Sequence, residues 1–198
     1  MIKRKHFNKN PLIQFQNWYE DAEQAGIKLP DAMTLATASR TGVPSARIVL
    51  FKGIDENGLK FFTNYRSKKA KDLEENPQAE VVFYWPQLDR QVRIQGKIKR
   101  TSQKTSDEYW ESRPRESRLA ALCSSQSTLI TGREILENKF NQFKKKYEEK
   151  PIPRPEHWGG YLLIARKFEF WINGAYRLHD RFCYRKKAGK WELVQLSP

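Results

Sequence analysis

Three short β-type runs in quick succession constrain this chain more than any other feature. Ala32 to Ala38, Ser45 to Lys52 and Leu59 to Asn64 are separated by the turn-forming stretches Arg40-Thr41-Gly42-Val43-Pro44 and Asp55-Glu56-Asn57-Gly58. Connections this short join antiparallel neighbours, because a parallel pair needs a crossover of a dozen or more residues. Similar runs follow at Ala79 to Trp85 and Arg90 to Thr101, and the tail holds four more. These are Gly160 to Ala165, Phe168 to Ile172, Arg181 to Lys186 and Lys190 to Leu196, the last two joined by Lys187-Ala188-Gly189. Helical spacing marks Pro11 to Gly26, where Leu12, Phe15, Trp18, Ala22 and Ala25 recur every three or four residues behind an Asn10 cap. A second helix is expected from a Ser67 cap through Asn76, with Ala70 and Leu73 facing inward. Three more are expected at Ser102 to Arg113, Glu116 to Cys123 and Arg133 to Lys150. Strands that do not alternate regularly with helices predict an α+β fold, a mostly antiparallel β-barrel with flanking helices, whose sheet closes upon itself.

At 198 residues the chain is expected to form a single domain over 1–198, with 1–10 as a short N-terminal arm. Thirty-seven Lys and Arg against 23 Asp and Glu leave a formal charge of +14, which favours anionic partners. Net charge reports a field rather than a site, so nucleic acid, an acidic membrane and phosphorylated small molecules all remain open. Cys123 and Cys183 lie far apart without a Cys-x-x-Cys pair, and His6 and His157 are isolated, so neither a disulfide framework nor a metal site is expected. Met1 to Asn10 lacks the apolar stretch of a signal peptide, and no run approaches the roughly 18 apolar residues of a membrane span. A cytoplasmic protein is the expectation.

None of the ten glycines falls in a Gly-x-Gly-x-x-Gly or Walker pattern, so a phosphate would have to be gripped by side chains. Arg47 to Lys52, Ser67-Lys68-Lys69, Arg113 to Ser117, Gln126-Ser127 and Arg177 to Arg181 carry suitable charge-assisted donors. Most individual cations are solvated and energetically minor, the Lys144-Lys145-Lys146 run included. Arg47 and Arg93 differ, because each stands inside an apolar alternating strand where a charge requires a partner. Period-two alternation sends Arg47 and Lys52 to opposite faces unless a bulge intervenes. His179 beside Asp180 invites a triad reading, but adjacent strand residues point apart and no Ser sits in a nucleophile elbow.

Taken together, ordered blocks from Ala32 to Pro198 resemble the pyridoxamine 5'-phosphate oxidase family. They are Arg47 to Lys52, Phe61 to Tyr65, Ser67 to Ala70, Arg90 to Gly96, Ser112-Arg113-Pro114, Ser125-Gln126-Ser127, Trp158-Gly159-Gly160 and Arg177 to Arg181. The resemblance implies an FMN-binding split barrel that works as a homodimer, with the cofactor at the subunit interface. Carried over by position, it implies FMN contacts from Arg47, Ile48, Val49, Leu50, Phe51, Lys52, Phe62, Thr63, Lys68, Lys69 and Gln91. Gln126, Ser127, Trp171 and Arg181 complete that set. Lys52, Tyr109, Arg113 and Ser117 would take the substrate phosphate, and Arg177 and His179 would stand beside the pyridine ring as the catalytic pair. The implied reaction is hydride transfer from the substrate C4' carbon to flavin N5, with O2 as the final acceptor.

Two positions depart from the family pattern. Members often carry a longer N-terminal arm that folds over the substrate, where this sequence has Met1 to Asn10, and Ile172 stands where Gln commonly follows the Phe-Trp pair. Two other functional classes also draw on the sequence. A related flavoprotein could act on a different ring, such as a phenazine precursor, or carry flavin without turnover. A nucleic-acid binder would use the net charge and stacking aromatics such as Phe83-Tyr84-Trp85, but the chain has no recognised motif for that task.

Overall fold

The computed structural model describes residues 4–198, so the first three residues of the expected N-terminal arm lie outside the described residues. Among the described residues, five α-helices and nine strands alternate irregularly. The chain runs α1 (Pro11–Gln24), β1 (Ala32–Ala38), β2 (Pro44–Leu50), β3 (Ile54–Asp55), β4 (Gly58–Asn64), α2 (Lys68–Glu75), β5 (Gln78–Trp85) and β6 (Arg90–Arg100). It continues through α3 (Gln103–Ser112), α4 (Arg115–Cys123), α5 (Glu134–Lys146), β7 (Trp158–Ile172), β8 (Asp180–Lys187) and β9 (Lys190–Leu196). No helix among the described residues is long and apolar enough to cross a membrane.

Every strand pairing is antiparallel, in the order β2-β1-β5-β6-β7-β4-β3 with β8 on β7 and β9 on β8, but the expected meander breaks after β2. There β2 ladders with β1, while the two-residue β3 folds back on β4 and the other edge of β4 pairs with β7. The tail differs from expectation in one respect: the two runs expected at 160–165 and 168–172 are halves of the single strand β7. Register slips between Gln95 and Gly96, where Gly96 faces Ala165 and Gln95 faces Lys167, leaving Arg166 as an extra bulge residue. Gly96 permits this close approach, because a Cβ there would lie 2.1 Å from the Ile164 carbonyl oxygen. Period-two reading broke at the bulge, which looks in sequence like the end of a strand. With its length of 15 residues, β7 pairs with β4 and β6 along its first half and with β6 and β8 along its second.

Alternation along β1, β4, β5 and β6 sends Met33, Leu35, Leu59, Phe61, Val81, Phe83, Val92 and Ile94 into one core, all of them fully buried. Helix α1 plugs it. Asn10 Oδ1 accepts from Leu12 N at 3.0 Å, as the expected cap should, and Phe15, Trp18 and Ala22 face the barrel, whereas Ala25 is exposed. Phe15 meets Phe51 edge-on at 5.4 Å and Phe83 at 5.0 Å. Burying each such ring stabilises the fold by roughly 1.5–3 kcal/mol.

The sheet was expected to close on itself, and it does so only over a short seam. Lys52 N donates to Lys60 O at 2.9 Å and Lys60 N donates to Gly53 O at 2.8 Å, linking the end of β2 to β4. Beyond this seam Ile48 to Leu50 and Phe62 to Asn64 face one cavity across the gap, and α3 and α4 roof it. The expected partner for Arg93 is Glu80, with Glu169 a further 3.7 Å contact. Arg47 is satisfied without a direct ion pair by Leu35 O, Thr37 Oγ1 and Ser45 Oγ, at 3.2, 2.8 and 2.6 Å. Both cysteines are buried, which pushes their thiols up.

Candidate active site

The gap between β2 and β4 holds a cavity of about 450 Å³. Its first cationic pole is Lys69, carried on the first turn of α2 and only 8% exposed. Lys69 Nζ donates to Gln126 Oε1 at 3.1 Å, Thr63 Oγ1 at 3.2 Å and Ser67 Oγ at 3.4 Å, all neutral acceptors. Burial, and secondarily the nearby Arg47 charge, pulls its pKa down to about 8. A buried ammonium with neutral partners, facing open space, is an arrangement an anion would complete. Ser67 sits at the N-cap of α2 but makes no capping bond; Ser127 Oγ, brought in from the loop after α4, accepts from Lys68 N at 3.2 Å instead. Ser127 adopts a left-handed φ of 70° to do so. The cap read from sequence was therefore the right position served by the wrong side chain.

The second pole gathers Tyr109 from α3, Arg113 from the α3–α4 link and Ser117 from α4. Helix α3 ends at Ser112 and Pro114 precedes α4, so the expected break occurs and still leaves all three residues on one cavity wall. The Arg113 guanidinium lies 4.6 Å above the Trp158 ring, and burial lowers its pKa. Lys52 also lines the cavity and pairs with Asp31 Oδ2 at 2.7 Å. Between the poles Phe62, Tyr109 and Trp158 form parallel aromatic walls, with Phe62 and Tyr109 stacked at 3.9 Å and Phe62 and Trp158 at 5.8 Å. Glycines make room for this layer: a Cβ on Gly160 would fall 2.7 Å from Phe62 Cε1, and one on Gly159 would fall 2.3 Å from Tyr65 Oη.

The structure thus brings Ile48, Val49, Leu50, Lys52, Phe62, Thr63, Lys69, Tyr109, Arg113, Ser117 and Gln126 around one cavity. Phe51 belongs to the same block, but its side chain lies in the core against Phe15 and Tyr19. Arg47 turns toward β1, and Lys68 pairs with Asp72 on α2. Trp158, Asn64, Ala120, Ala121 and Ser124 also line the cavity without having been singled out as site residues. Trp158 and Asn64 stood inside quoted sequence blocks and could have been found there, whereas the two alanines and Ser124 carry no chemical signal in sequence.

Gln91, Trp171, Arg177, His179 and Arg181 are absent from the cavity walls; Gln91, Trp171, His179 and Arg181 form a second cluster at the other end of β7, and Arg177 lies in the turn that follows β7. Gln91, Trp171 and Arg181 stand opposite one another on β6, β7 and β8. Trp158 and Trp171 lie at opposite ends of β7, on the order of 40 Å of extended chain at about 3.3 Å per residue. The Trp171 and His179 rings are 4.6 Å apart. Gly174 N donates to His179 Nδ1 at 3.2 Å, so the neutral imidazole keeps its proton on Nε2 and offers a donor there. The turn carrying Arg177 is strained: Tyr176 and Arg177 both adopt left-handed backbones, at φ 57° and 63°. Arg181 Nε and Nη2 hold Glu169 Oε1 at 3.0 and 2.9 Å, and its Nη1 donates to Ser197 O at 2.8 Å.

Comparison with known proteins places this geometry. Residues 19–147 match a family model described as pyridoxamine 5'-phosphate oxidase, and residues 158–198 match one described as the pyridoxine 5'-phosphate oxidase C-terminal dimerisation region. A pyridoxine/pyridoxamine 5'-phosphate oxidase from a Cyanothece species is 51% identical over 197 residues, covering 100% of this chain and 92% of the relative. The same-named protein from Cupriavidus pinatubonensis is 48% identical over 96% of this chain and 89% of its own length. Among solved structures, PhzG from Burkholderia lata in complex with tetrahydrophenazine-1-carboxylic acid superposes with a TM-score of 0.94. It is 28% identical and covers 100% of this chain and 98% of its own. An FMN-binding protein from Nostoc punctiforme shares the fold at a TM-score of 0.76 and 20% identity, over 93% of this chain and 97% of that one.

Proposed function

This chain belongs to the pyridoxamine 5'-phosphate oxidase family, an oxidoreductase family, and we propose that it is an FMN-dependent cytoplasmic homodimer making pyridoxal 5'-phosphate. In the proposed reaction pyridoxamine 5'-phosphate or pyridoxine 5'-phosphate is oxidised at C4' by O2, giving H2O2, with water consumed and ammonia released when the substrate is the amine. The observation that carries this reading is the buried Lys69 ammonium facing the cavity with neutral partners alone, opposite a second cationic pole at Arg113.

Two cationic poles suit two phosphate esters. Lys69, with Gln126 and Thr63, would hold the FMN phosphate, and Ser127 and Lys68 flank it. Lys52, Tyr109, Arg113 and Ser117 would hold the substrate phosphate, and the aromatic wall excludes water beside it. When bound, FMN supplies the hydride acceptor and passes the electrons to O2. The residues of this chain position rather than react, and proximity accounts for much of the expected rate.

Arg177 and His179 would reach the reacting ring from the partner subunit, since within one chain they occupy the far end of β7 from the Trp158 wall. A two-fold interface returns the second cluster of each copy to the cavity of the other. Exposed apolar side chains accompany both regions: Ile48 and Leu50 at the cavity rim, and Tyr176 and Leu178 beside Arg177. His179, its Nδ1 occupied by Gly174 N–H, would donate from Nε2 to an acceptor on the substrate ring, and Arg177 would steady the charge that develops as the C4' bond breaks.

The likeness to PhzG favours a second reading, a related ring oxidation on a phenazine precursor. A visible spectrum followed by anaerobic titration tests both. A yellow protein bleached by pyridoxamine 5'-phosphate is expected, and a colourless protein refutes the flavoenzyme reading. Bleaching by tetrahydrophenazine-1-carboxylic acid with no response to the B6 ester transfers the assignment to the second reading.

A further inference from the structure

Two buried guanidinium nitrogens near the α3–α4 link lack partners: Nη1 of the cavity-lining Arg113, and Nε of Arg118, which follows the cavity-lining Ser117 in sequence and is not itself part of the cavity wall. Leaving a buried donor unmatched is costly, more so on a charged group. The two cations also feel one another, since the Arg118 charge adds to burial in lowering the Arg113 pKa. Among the described residues no carboxylate forms an ion pair with either.

Arg115, which lies between them in sequence, shows what a structural arginine looks like here. It donates to the carbonyls of Tyr147, Glu148 and Lys150 and so ties the start of α4 to the end of α5. That tie fixes the first turn of α4, from which Ser117 and Arg118 project as consecutive residues. Arg118 thus begins from an anchored backbone, beside a cavity-lining hydroxyl and a like charge, with unspent donor capacity.

We infer that Arg118 works with Arg113 as a paired-guanidinium clamp on the phosphate ester of the substrate. A phosphate dianion supplies acceptors to both side chains and to Ser117 at once, which a single carboxylate oxygen pair does less well. Arg118 deepens the proposed function by adding a phosphate-selecting residue outside the set that the family resemblance implies, and it rests on that reading for the identity of the substrate.

The test compares wild type, Arg118→Gln and Arg118→Lys, each as purified with its flavin. Inorganic phosphate is titrated calorimetrically, and steady-state constants are measured with pyridoxamine 5'-phosphate and with unphosphorylated pyridoxamine. Arg118→Gln is expected to weaken phosphate binding about tenfold and to raise KM for the ester about tenfold, the scale of one lost charge-assisted bond. Its kcat and its KM for the unphosphorylated amine should stay near wild type, and Arg118→Lys should fall between. An unchanged phosphate affinity overturns the clamp, as does an equal rise in KM for both amines, which marks a structural role. If Arg118→Gln does not fold, Arg118→Lys decides, because it keeps the charge and loses the fork; wild-type affinity in that variant also overturns the inference. If wild type oxidises no B6 ester while its phosphate affinity still depends on Arg118, the enzymatic reading fails and the clamp stands.

Discussion

The cavity between β2 and β4 and the cluster at the far end of β7 are both rich in arginine and lysine, but their charges are balanced differently. Arg181 in the far cluster is matched inside the chain by Glu169, a carboxylate 3% exposed that also draws in Arg93 and Lys167 at 3.7 and 3.8 Å. Lys69 and Arg113 in the cavity have no such carboxylate among the described residues, although both are buried enough to depress their pKa values. A cation matched internally contributes to the fold, whereas one left without a counter-charge is stabilised fully only when an anion arrives. Lys52 stands between these cases, lining the cavity while paired with Asp31.

Removing one member of each region should sharpen this contrast. The largest effect is expected from Arg177→Ala, which removes the charge proposed to act on the reacting ring. Stopped-flow anaerobic reduction should slow by about 100-fold or more, the usual scale for one transition-state donor, while flavin affinity changes little. Equal losses in both would contradict the division between holding and reacting. Lys69→Met should act in the opposite way, weakening flavin binding by about 2 kcal/mol, or roughly 30-fold. The same variant should raise the melting temperature of the flavin-free protein, because an apolar chain replaces an uncompensated buried charge. A fall in both flavin affinity and apoprotein stability would show that the ammonium is already satisfied by its neutral neighbours.

The antiparallel framework was legible because hairpin connections are short and local: β1 runs over the expected residues, and the boundaries of β2, β4 and β5 move by one or two. The β7 bulge was not, since it depends on Gly96 yielding space to a strand some 70 residues away, and no periodicity within β7 records that. The cavity side of the site was legible through blocks that alternate along β2 and β4 or share α3 and α4. Arg118 was hidden for a different reason: its significance lies in a partner it lacks, and sequence shows residues rather than unmade bonds. The separation of Arg177 and His179 from Lys52 and Arg113 was equally invisible, because a motif records order along the chain and not how far apart the fold holds its parts.

Protonation of Lys69 offers the smallest and most specific way to break the comparison. With its folded pKa near 8, below the usual lysine value, the folded apoprotein binds fewer protons than the unfolded chain between about pH 8 and 10. Stability of the flavin-free protein should therefore carry the full penalty of the buried charge below pH 8 and recover as pH rises through that window. Flavin affinity should move the other way, falling by nearly an order of magnitude between about pH 7.5 and 9 as the ammonium loses its proton. Fluorescence titration of flavin across this range, beside melting curves of the apoprotein, reads both slopes on one sample. Lys69→Met should flatten both at once, since it removes the titrating group without disturbing the Glu169 network at the other end of the sheet. If the slopes persist in that variant, the titrating charge lies elsewhere, and the cavity is not the region whose cations wait for an anion.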